Sequence, residues 1–213
     1  MQCFASWSGG KESALALYRA IGQGYRPARL LNFTSEDGQT SRSHGLSASA
    51  LRVQANAIDV PLLQVSTSWQ EYEANFKRAV KGLRKEGVEA GIFGDIDLQE
   101  HREWIERVCG EEGIHPVLPL WGSDQHALVR DFLRLGFRAR VVATGLAPEL
   151  LGSYLDEAFL DRLAAYGCTP CGEAGEYHTF VVAGPIFKAP LVLTDGSHYT
   201  RDGVHFLELN AEA

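Results

Sequence analysis

The chain has 213 residues, of which 45% are hydrophobic and 22% charged, and its formal net charge at pH 7 is -7. This length accommodates one large or two small domains with apolar cores, so folding requires neither disulfides nor a structural metal. The acidic balance disfavours a broad electrostatic grip on nucleic acid, and no uncharged apolar run of about 18 residues occurs. We therefore expect a cytoplasmic protein that has no membrane or nucleic-acid partner.

The first half of the chain alternates short apolar runs with amphipathic helical patterns, as a parallel sheet covered by helices does. The predicted strands cover residues 2–7, 29–33, 61–65, 90–94 and 116–120. The predicted helices cover residues 12–21, 47–57, 69–86 and 99–112. This order predicts an α/β fold with a Rossmann-like, doubly wound, five-stranded parallel sheet, whose ligands bind at the carboxyl ends of the strands.

After Trp121 the pattern changes to helix, strand, helix and then a run of strands. The predicted helices cover residues 127–135 and 156–166, and the predicted strands cover residues 139–143, 179–183, 191–194 and 204–209. Two Asp-Gly pairs, at residues 195–196 and 202–203, are turn signals between the last strands. We predict a larger first domain over residues 1–121 and a smaller α/β domain over residues 122–213.

A glycine-rich turn, Ser-Gly-Gly-Lys-Glu-Ser at residues 8–13, connects the first predicted strand to the first predicted helix. Backbone N–H groups and the positive end of a helix converge at such a turn, which favours phosphate. Glycines let a ligand approach the backbone, and Lys11, Ser8 and Ser13 add a positive charge and hydroxyl donors. The spacing matches neither the usual P-loop nor the dinucleotide fingerprint. An ordinary strand-to-helix turn, in which the glycines only relieve strain, is the alternative.

A second block, Pro-Cys-Gly-Glu-Ala-Gly-Glu-Tyr-His-Thr-Phe-Val at residues 170–181, places glycines and acids directly before a predicted strand. Its glycines allow close approach of a ligand to the backbone. Glu173 and Glu176 can bind a metal, accept a proton or orient ammonia. An acidic surface turn would have the same composition.

Cys168 and Cys171 have the Cys-x-x-Cys spacing that serves metal binding, disulfide exchange and sulfur transfer. Four cysteines in a chain of this size, without a secretion signal, predict reduced thiols rather than a disulfide framework. Two unreactive thiols in a turn are the simplest account of the pair. A tRNA sulfurtransferase is the enzymatic alternative, and the acidic charge and the lack of a second cysteine pair argue against it.

The turn at residues 8–13 resembles the pyrophosphate loop, Ser-Gly-Gly-x-Asp-Ser, of the adenine nucleotide α-hydrolase superfamily. Members of that superfamily hold the β and γ phosphates of ATP and leave the α phosphorus open to attack, with release of pyrophosphate. Glu12 stands where Asp is usual, which keeps the carboxylate and moves it by one methylene.

Nearly the whole chain resembles the diphthine-ammonia ligase family of ATP-dependent amidases. The resemblance rests on the loop, on the block Gly-Glu-x-Gly-Glu-Tyr-His-Thr, and on three short segments at residues 43–46, 94–96 and 120–124. Residues 34–44 look like the bacterial branch of the family, in which diphthamide is not expected. His101-Arg102 stands where family members often carry Gln-Arg.

The resemblance implies a two-step reaction in which a substrate carboxylate is adenylylated and ammonia then displaces AMP. It implies ATP and Mg²⁺ as cofactors, ammonia as the second substrate, and diphthine on elongation factor 2 as the acceptor if the family reaction applies. It leaves a homodimer open. A sensor that binds ATP without turning it over fits the same features and is the non-enzymatic alternative.

The resemblance also implies roles for individual residues. The catalytic residues it implies are Lys11, Glu173 and Glu176. The nucleotide-binding residues it implies are Ser8, Gly9, Gly10, Lys11, Ser13, Thr34, His44, Gly94 and Asp95, and it assigns Mg²⁺ to Glu12. For His44, an exposed loop histidine without a role is the alternative.

Overall fold

A computed structural model describes residues 1–42 and 44–211, which form nine strands and six α-helices. The strands are β1 (Gln2–Ser6), β2 (Arg26–Thr34), β3 (Leu62–Ser66), β4 (Ala90–Ile92), β5 (His115–Val117), β6 (Arg138–Thr144), β7 (Tyr177–Ala183), β8 (Leu193–Arg201) and β9 (Val204–Ala211). The helices are α1 (Lys11–Gly22), α2 (Ala48–Ile58), α3 (Tyr72–Lys85), α4 (Gln99–Glu111), α5 (Gln125–Arg134) and α6 (Glu157–Ala165). None of the helices in the described part of the chain is long and apolar enough to cross a membrane.

The chain divides into two compact units, and the division does not follow the chain in one step. The first unit contains Met1–Ser8, Glu12–Arg42 and Val60–Ser123. The second contains Gly9–Lys11, the segment through α2 as far as Asp59, and the chain from Asp124 onward. Three residues of the glycine-rich turn, together with α2, therefore group with the C-terminal half of the chain.

The first unit is built on a five-stranded sheet in the order β3-β2-β1-β4-β5, with every neighbouring pair parallel. The predicted doubly wound α/β sheet is confirmed. Apolar faces of α3 and α4 pack with strand residues in one buried cluster, which excludes water from one face of the sheet. Its members include Phe4, Leu31, Phe76, Val80, Phe93, Ile105 and Val108. The switch in strand order falls at β1, and the glycine-rich turn follows this strand directly.

The second unit is built on a four-stranded antiparallel sheet in the order β7-β6-β9-β8. Its helices begin at side-chain caps that satisfy a free backbone N–H group. Ser47 caps α2, Asp124 caps α5 and Asp156 caps α6. The sequence signal for each start is therefore local, and the predicted helices lie within two residues of the observed bounds.

One predicted turn in this unit is wrong and one is confirmed. The pair at residues 195–196 lies inside β8, where the pairing with β9 shifts register between Asp195 and His198. An extra residue in one strand absorbs the glycine without reversing the chain. The pair Asp202-Gly203 makes the turn, with both residues at positive φ (52° and 80°), as a two-residue hairpin requires.

Candidate active site

Both glycines of the turn at residues 8–13 lie where a side chain would not fit. Gly9 has φ 82°, and a Cβ on it would lie 2.5 Å from Leu51 Cδ2 and 2.9 Å from Gln54 Oε1. A Cβ on Gly10 would lie 2.5 Å from His44 Cε1. The glycines are therefore required for packing within the second unit, in addition to any approach of a ligand to the backbone.

Gln54 of α2 is fully buried and holds this turn in place. Its Nε2 donates to the carbonyl oxygen of Gly9 at 3.0 Å and to that of Val181 at 2.7 Å. Val181 N in turn donates to Gly9 O at 2.9 Å. The Gly9 carbonyl is therefore connected to Val181 of β7 by a direct backbone hydrogen bond and, a second time, through the Gln54 side chain.

Lys11 begins α1 and is buried, with a relative exposure of 5%. Its Nζ donates to the carbonyl oxygen of Cys171 at 2.6 Å and lies 4.5 Å from the centre of the Tyr177 ring. Its backbone N–H donates to Thr179 Oγ1 at 3.1 Å. The ammonium group therefore lies against residues of the predicted acidic block, where an aromatic face and a carbonyl dipole both stabilise a cation.

The carboxylate of Glu176 is turned into the loop that carries it. Glu176 Oε1 accepts hydrogen bonds from Thr169 N at 3.1 Å and Thr169 Oγ1 at 3.2 Å, and Oε2 accepts one from Ala174 N at 2.9 Å. Burial acts to raise the pKa of Glu176, but hydrogen bonds from backbone and hydroxyl groups outweigh it and leave the pKa below its usual value. Glu173 is half-buried in the same loop, and its backbone N–H donates to Thr169 Oγ1 at 3.3 Å.

Two imidazole rings stack in the second unit. The ring centroids of His44 and His178 lie 4.6 Å apart with an interplanar angle of 20°. Burial is the largest cause that lowers the pKa of both, and the charge of Lys11 acts in the same direction. The pKa of His178 falls to about 4, against the opposing effect of Glu176. Both rings are therefore neutral at pH 7. His44 is half-buried rather than exposed, and its neighbour Ser43 lies outside the described residues.

In the first unit, the start of α1 packs closely against the end of β4. A Cβ on Gly94 would lie 3.0 Å from the backbone carbon of Glu12 and from the backbone nitrogen of Ser13. Ser13 is buried, and Ser8 Oγ donates to Ser13 Oγ at 3.2 Å. Two predicted positions, the helix start and the Gly94-Asp95 segment, are therefore brought together at the carboxyl edge of the sheet.

Thr34 and Asp95 lie at the carboxyl ends of two strands of the same sheet. Thr34 ends β2, is buried, and shares a hydrogen bond of 3.2 Å with Ser66 Oγ at the end of β3. Asp95 Oδ1 lies 3.1 Å from His101 Nδ1, which is within the distance of a hydrogen bond or an ion pair. Burial raises the pKa of Asp95 by more than His101 lowers it. The pair gives His101 a partner that the sequence did not predict.

The side-chain oxygens of the turn at residues 8–13 are of the chemical type that binds Mg²⁺. This ion takes oxygen ligands and uses one or two carboxylates together with substrate phosphates. Glu12 is half-buried and Ser8 and Ser13 carry hydroxyls beside it in the chain. Among the described residues no group of three or more His, Cys, Asp or Glu side chains is arranged to hold a metal.

The two cysteines of the Cys-x-x-Cys pair are free thiols in different surroundings. Cys171 is buried, and its Sγ lies 3.5 Å from the carbonyl oxygen of Gln125. Cys168 is half-buried, and burial followed by the charge of Glu176 raises its pKa. A raised pKa disfavours the thiolate that disulfide exchange and sulfur transfer require.

Residues 1–116 match the family described as the diphthamide synthase N-terminal domain, and residues 124–210 match the diphthamide synthase C-terminal domain. The chain belongs to the diphthamide synthase family. This membership confirms the resemblance seen in the sequence motifs. It favours the predicted ATP-dependent ligase over a sulfurtransferase or a sensor.

Several curated relatives in the diphthamide synthase family carry the name diphthine-ammonia ligase. The protein from Schizosaccharomyces pombe is 30% identical over 88% of this chain, which spans 35% of that longer protein. The proteins from Rattus norvegicus and Homo sapiens are 28% and 29% identical over 91% of this chain and 83% of their own length. These relatives are eukaryotic, so assignment to a bacterial branch stays a prediction.

One solved structure also aligns with this member of the diphthamide synthase family. It is described as a predicted subunit of tRNA methyltransferase from Methanocaldococcus jannaschii, with 18% identity and a TM-score of 0.46 over 87% of this chain and 98% of its own. A likeness at this level carries no argument about function.

Sequence reasoning missed several residues that surround Lys11 and Gly9. It gave no role to Gln54, Tyr177, His178 and Thr179, although three of them belong to the acidic block. A signal was available for these three, because Tyr-His-Thr opens β7. Alternation along a strand places Tyr177 and Thr179 on one face of the sheet and His178 on the other. Gln54 gave no signal, since a single polar residue in an amphipathic helix is usually exposed.

Proposed function

We propose that this chain is an amide ligase that uses ATP to adenylylate a substrate carboxylate and then transfers ammonia to the acyl group. The observation that carries the proposal is the match of both halves of the chain to the diphthamide synthase family. The names of the curated relatives support diphthine as the acceptor, which would be presented on elongation factor 2.

In the first step, a carboxylate oxygen of the acceptor forms a bond to the α phosphorus, and the bond from that phosphorus to the bridging oxygen breaks. Acyl-adenylate and pyrophosphate result. In the second step, the ammonia nitrogen forms a bond to the acyl carbon, AMP leaves with the electron pair of the broken C–O bond, and the nitrogen loses a proton. The first step makes the second feasible, because AMP is a far better leaving group than oxide.

The turn at residues 8–13 is proposed to bind the β and γ phosphates. Ser8, Gly9, Gly10 and Ser13 would supply backbone N–H groups and hydroxyls, and the ammonium of Lys11 would supply positive charge. Oxygen atoms of Glu12 would help to hold Mg²⁺, which when bound neutralises charge on the phosphates. Such fixed charges and dipoles stabilise a pentavalent transition state because they need no reorganisation as the reaction proceeds.

The remaining predicted residues are proposed to surround adenosine and acceptor. Thr34, Gly94 and Asp95 lie at the carboxyl ends of β2 and β4, where doubly wound sheets bind nucleotides. His44, whose pKa is lowered, would meet the ligand as a neutral imidazole. Glu173 is proposed to face the acceptor or ammonia, where a carboxylate can hold or remove a proton at nitrogen.

Product analysis tests the proposal. Purified protein with ATP, Mg²⁺, ammonium and elongation factor 2 that carries diphthine should release AMP and pyrophosphate in equal amounts, and AMP release should depend on ammonium. Lys11→Ala should abolish AMP release while its circular dichroism stays that of the wild type. Release of ADP and phosphate, or AMP release unchanged in Lys11→Ala, would refute the assignment. Light scattering on the purified protein alone tests for a homodimer, which would have twice the chain mass of 23.4 kDa.

A further inference from the structure

The loop at residues 168–177 is organised around one carboxylate. Glu176 accepts three hydrogen bonds from Thr169 and Ala174, which both precede it in the loop. Gly172 and Gly175 adopt φ 70° and 84°, so the backbone turns back on itself twice within this segment. Ionised acceptors make stronger hydrogen bonds than neutral ones, so this carboxylate is a main determinant of the conformation of the loop.

The same loop holds the side chain of Lys11. The carbonyl oxygen of Cys171 accepts a hydrogen bond of 2.6 Å from Lys11 Nζ, and the Tyr177 ring lies 4.5 Å from that nitrogen. Tyr177 is fixed in turn, because its hydroxyl donates to the carbonyl oxygen of Pro170 at 2.5 Å and a Cβ on Gly172 would lie 2.7 Å from its ring. The Cys171 carbonyl and the Tyr177 ring, which contact the ammonium, therefore both belong to the segment that Glu176 organises.

We propose that Glu176 is a positioning residue, which fixes the loop at residues 168–177 so that Cys171 O and the Tyr177 ring place the Lys11 ammonium for binding of the ATP polyphosphate. The inference rests on the proposed function, in which Lys11 binds phosphate. It gives Glu176 a role different from the direct one that the sequence predicted for it.

A direct role in proton transfer fits the geometry poorly. Three of the roughly four lone-pair sites of the Glu176 carboxylate accept hydrogen bonds from the loop, two at Oε1 and one at Oε2, and protonation at a bonded site would forfeit a hydrogen bond to the ionised form. A general base must lie within hydrogen-bond reach of the proton that it removes, with a free lone pair directed there. The three donors instead come from the loop itself, which is the pattern of a residue that maintains structure around it.

A double-mutant cycle on nucleotide affinity tests the proposal. The dissociation constant of α,β-methylene-ATP with Mg²⁺ is measured by calorimetry for wild type, Glu176→Ala, Lys11→Ala and the double variant. We expect Glu176→Ala to weaken binding about tenfold in the wild-type background and to have no effect in the Lys11→Ala background. At saturating ATP, the AMP-forming rate of Glu176→Ala should stay within a few-fold of wild type.

Two further variants keep the proposal testable if Glu176→Ala does not fold. Thr169→Val removes the hydroxyl that donates to Glu176 and accepts from Glu173 N, and it keeps the backbone donor; it should weaken binding in the same Lys11-dependent manner by a smaller factor. Glu157→Gln, on the exposed start of α6, is the matched control for loss of one negative charge in this unit, and its affinity should equal that of wild type.

The possible results distinguish failure of the positioning role of Glu176 from failure of the proposed phosphate-binding role of Lys11. Equal weakening by Glu176→Ala in both backgrounds, or unchanged affinity with a collapsed rate at saturating ATP, overturns the positioning role and leaves the ligase proposal standing. Unchanged affinity in Lys11→Ala overturns the phosphate role of Lys11, and the inference with it.

Discussion

The imidazole rings of His44 and His178 lie nearly parallel, 4.6 Å apart, although the two residues are distant in the chain. His178 opens β7 next to Tyr177, and its neutral state depends on burial and on the positive charge of Lys11. Two adjacent imidazoles resist protonation, because each charge would face the other and the ammonium group nearby. Protonation of either ring is therefore disfavoured in the folded state.

Acid should therefore destabilise the protein through His178. Its folded-state pKa of about 4 lies below its unfolded value near 6.5, so the unfolded chain binds more protons between these values. The stabilisation is complete above pH 6.5 and is lost as the pH falls through this window. The loss is on the order of 3 kcal/mol at most, since each pKa unit corresponds to about 1.4 kcal/mol.

Urea unfolding at pH 7.5 and pH 5 measures this loss in wild type and in His178→Gln. We expect the difference in unfolding free energy between the two pH values to shrink in the variant. His126→Gln, on an exposed position of α5, is the control and should keep the wild-type difference. If the difference in unfolding free energy between pH 7.5 and pH 5 is the same in His178→Gln as in wild type, the His178 ring does not titrate with a lowered pKa.

Substitution of Gly10 should disturb the turn and His44 together. A Cβ on Gly10 would lie 2.5 Å from His44 Cε1 and 3.2 Å from Thr179 O, so the imidazole must leave its stack. We expect Gly10→Ala to destabilise folding by about 1–3 kcal/mol and to weaken ATP binding. Gly22→Ala, at the end of α1 with open space around it, should instead be neutral or slightly stabilising. Equal unfolding free energies for the two variants would contradict this packing.

The sequence predicted the parallel sheet well because alternating apolar runs and helical periods are local signals. Strand ends were less accurate: β4 and β5 each have three residues, whereas the apolar runs suggested five. Phe93 lies one residue beyond β4, yet its N–H still donates to Val117 O of β5 at 2.9 Å and its side chain is buried in the core, so hydrophobicity alone does not mark where the strand stops.

The site was predictable in composition but not in geometry. Glycines and a lysine after a strand suggested phosphate binding, yet no local pattern reveals that Lys11 contacts Cys171 O. The same limit applies to Glu176, because a carboxylate before a strand is compatible with both a ligand and an internal hydrogen-bond acceptor. Only the positive φ of Gly172 and Gly175 turns the loop so that Thr169 and Ala174 reach it.

Gly94 should tolerate no side chain. A Cβ at this position would meet backbone atoms of Glu12 and Ser13 at 3.0 Å, and a helix start cannot move aside as a flexible side chain can. We expect Gly94→Ala to lower the unfolding free energy by about 1–3 kcal/mol and to weaken ATP binding by displacing the turn. The control is Gly82→Ala in α3, where nothing lies within 4 Å and a gain of about 0.5–1 kcal/mol is expected. Wild-type stability and affinity in Gly94→Ala would show that strand and helix can separate freely.

Gln54 should be essential for the turn although it lies outside both motifs. It is fully buried and its Nε2 bonds the carbonyl oxygens of Gly9 and Val181, so Gln54→Leu would leave these acceptors with fewer donors at nearly the same volume. We expect a loss of about 1–3 kcal/mol in unfolding free energy, from desolvated carbonyls. Nucleotide affinity should fall as well, because the Gly9 backbone is no longer held from the α2 side. The exposed neighbour Asn56→Leu is the control in the same helix, and calorimetry with α,β-methylene-ATP should leave its affinity at the wild-type value. Equal affinities for Gln54→Leu and Asn56→Leu would mean that the turn keeps its conformation without the glutamine.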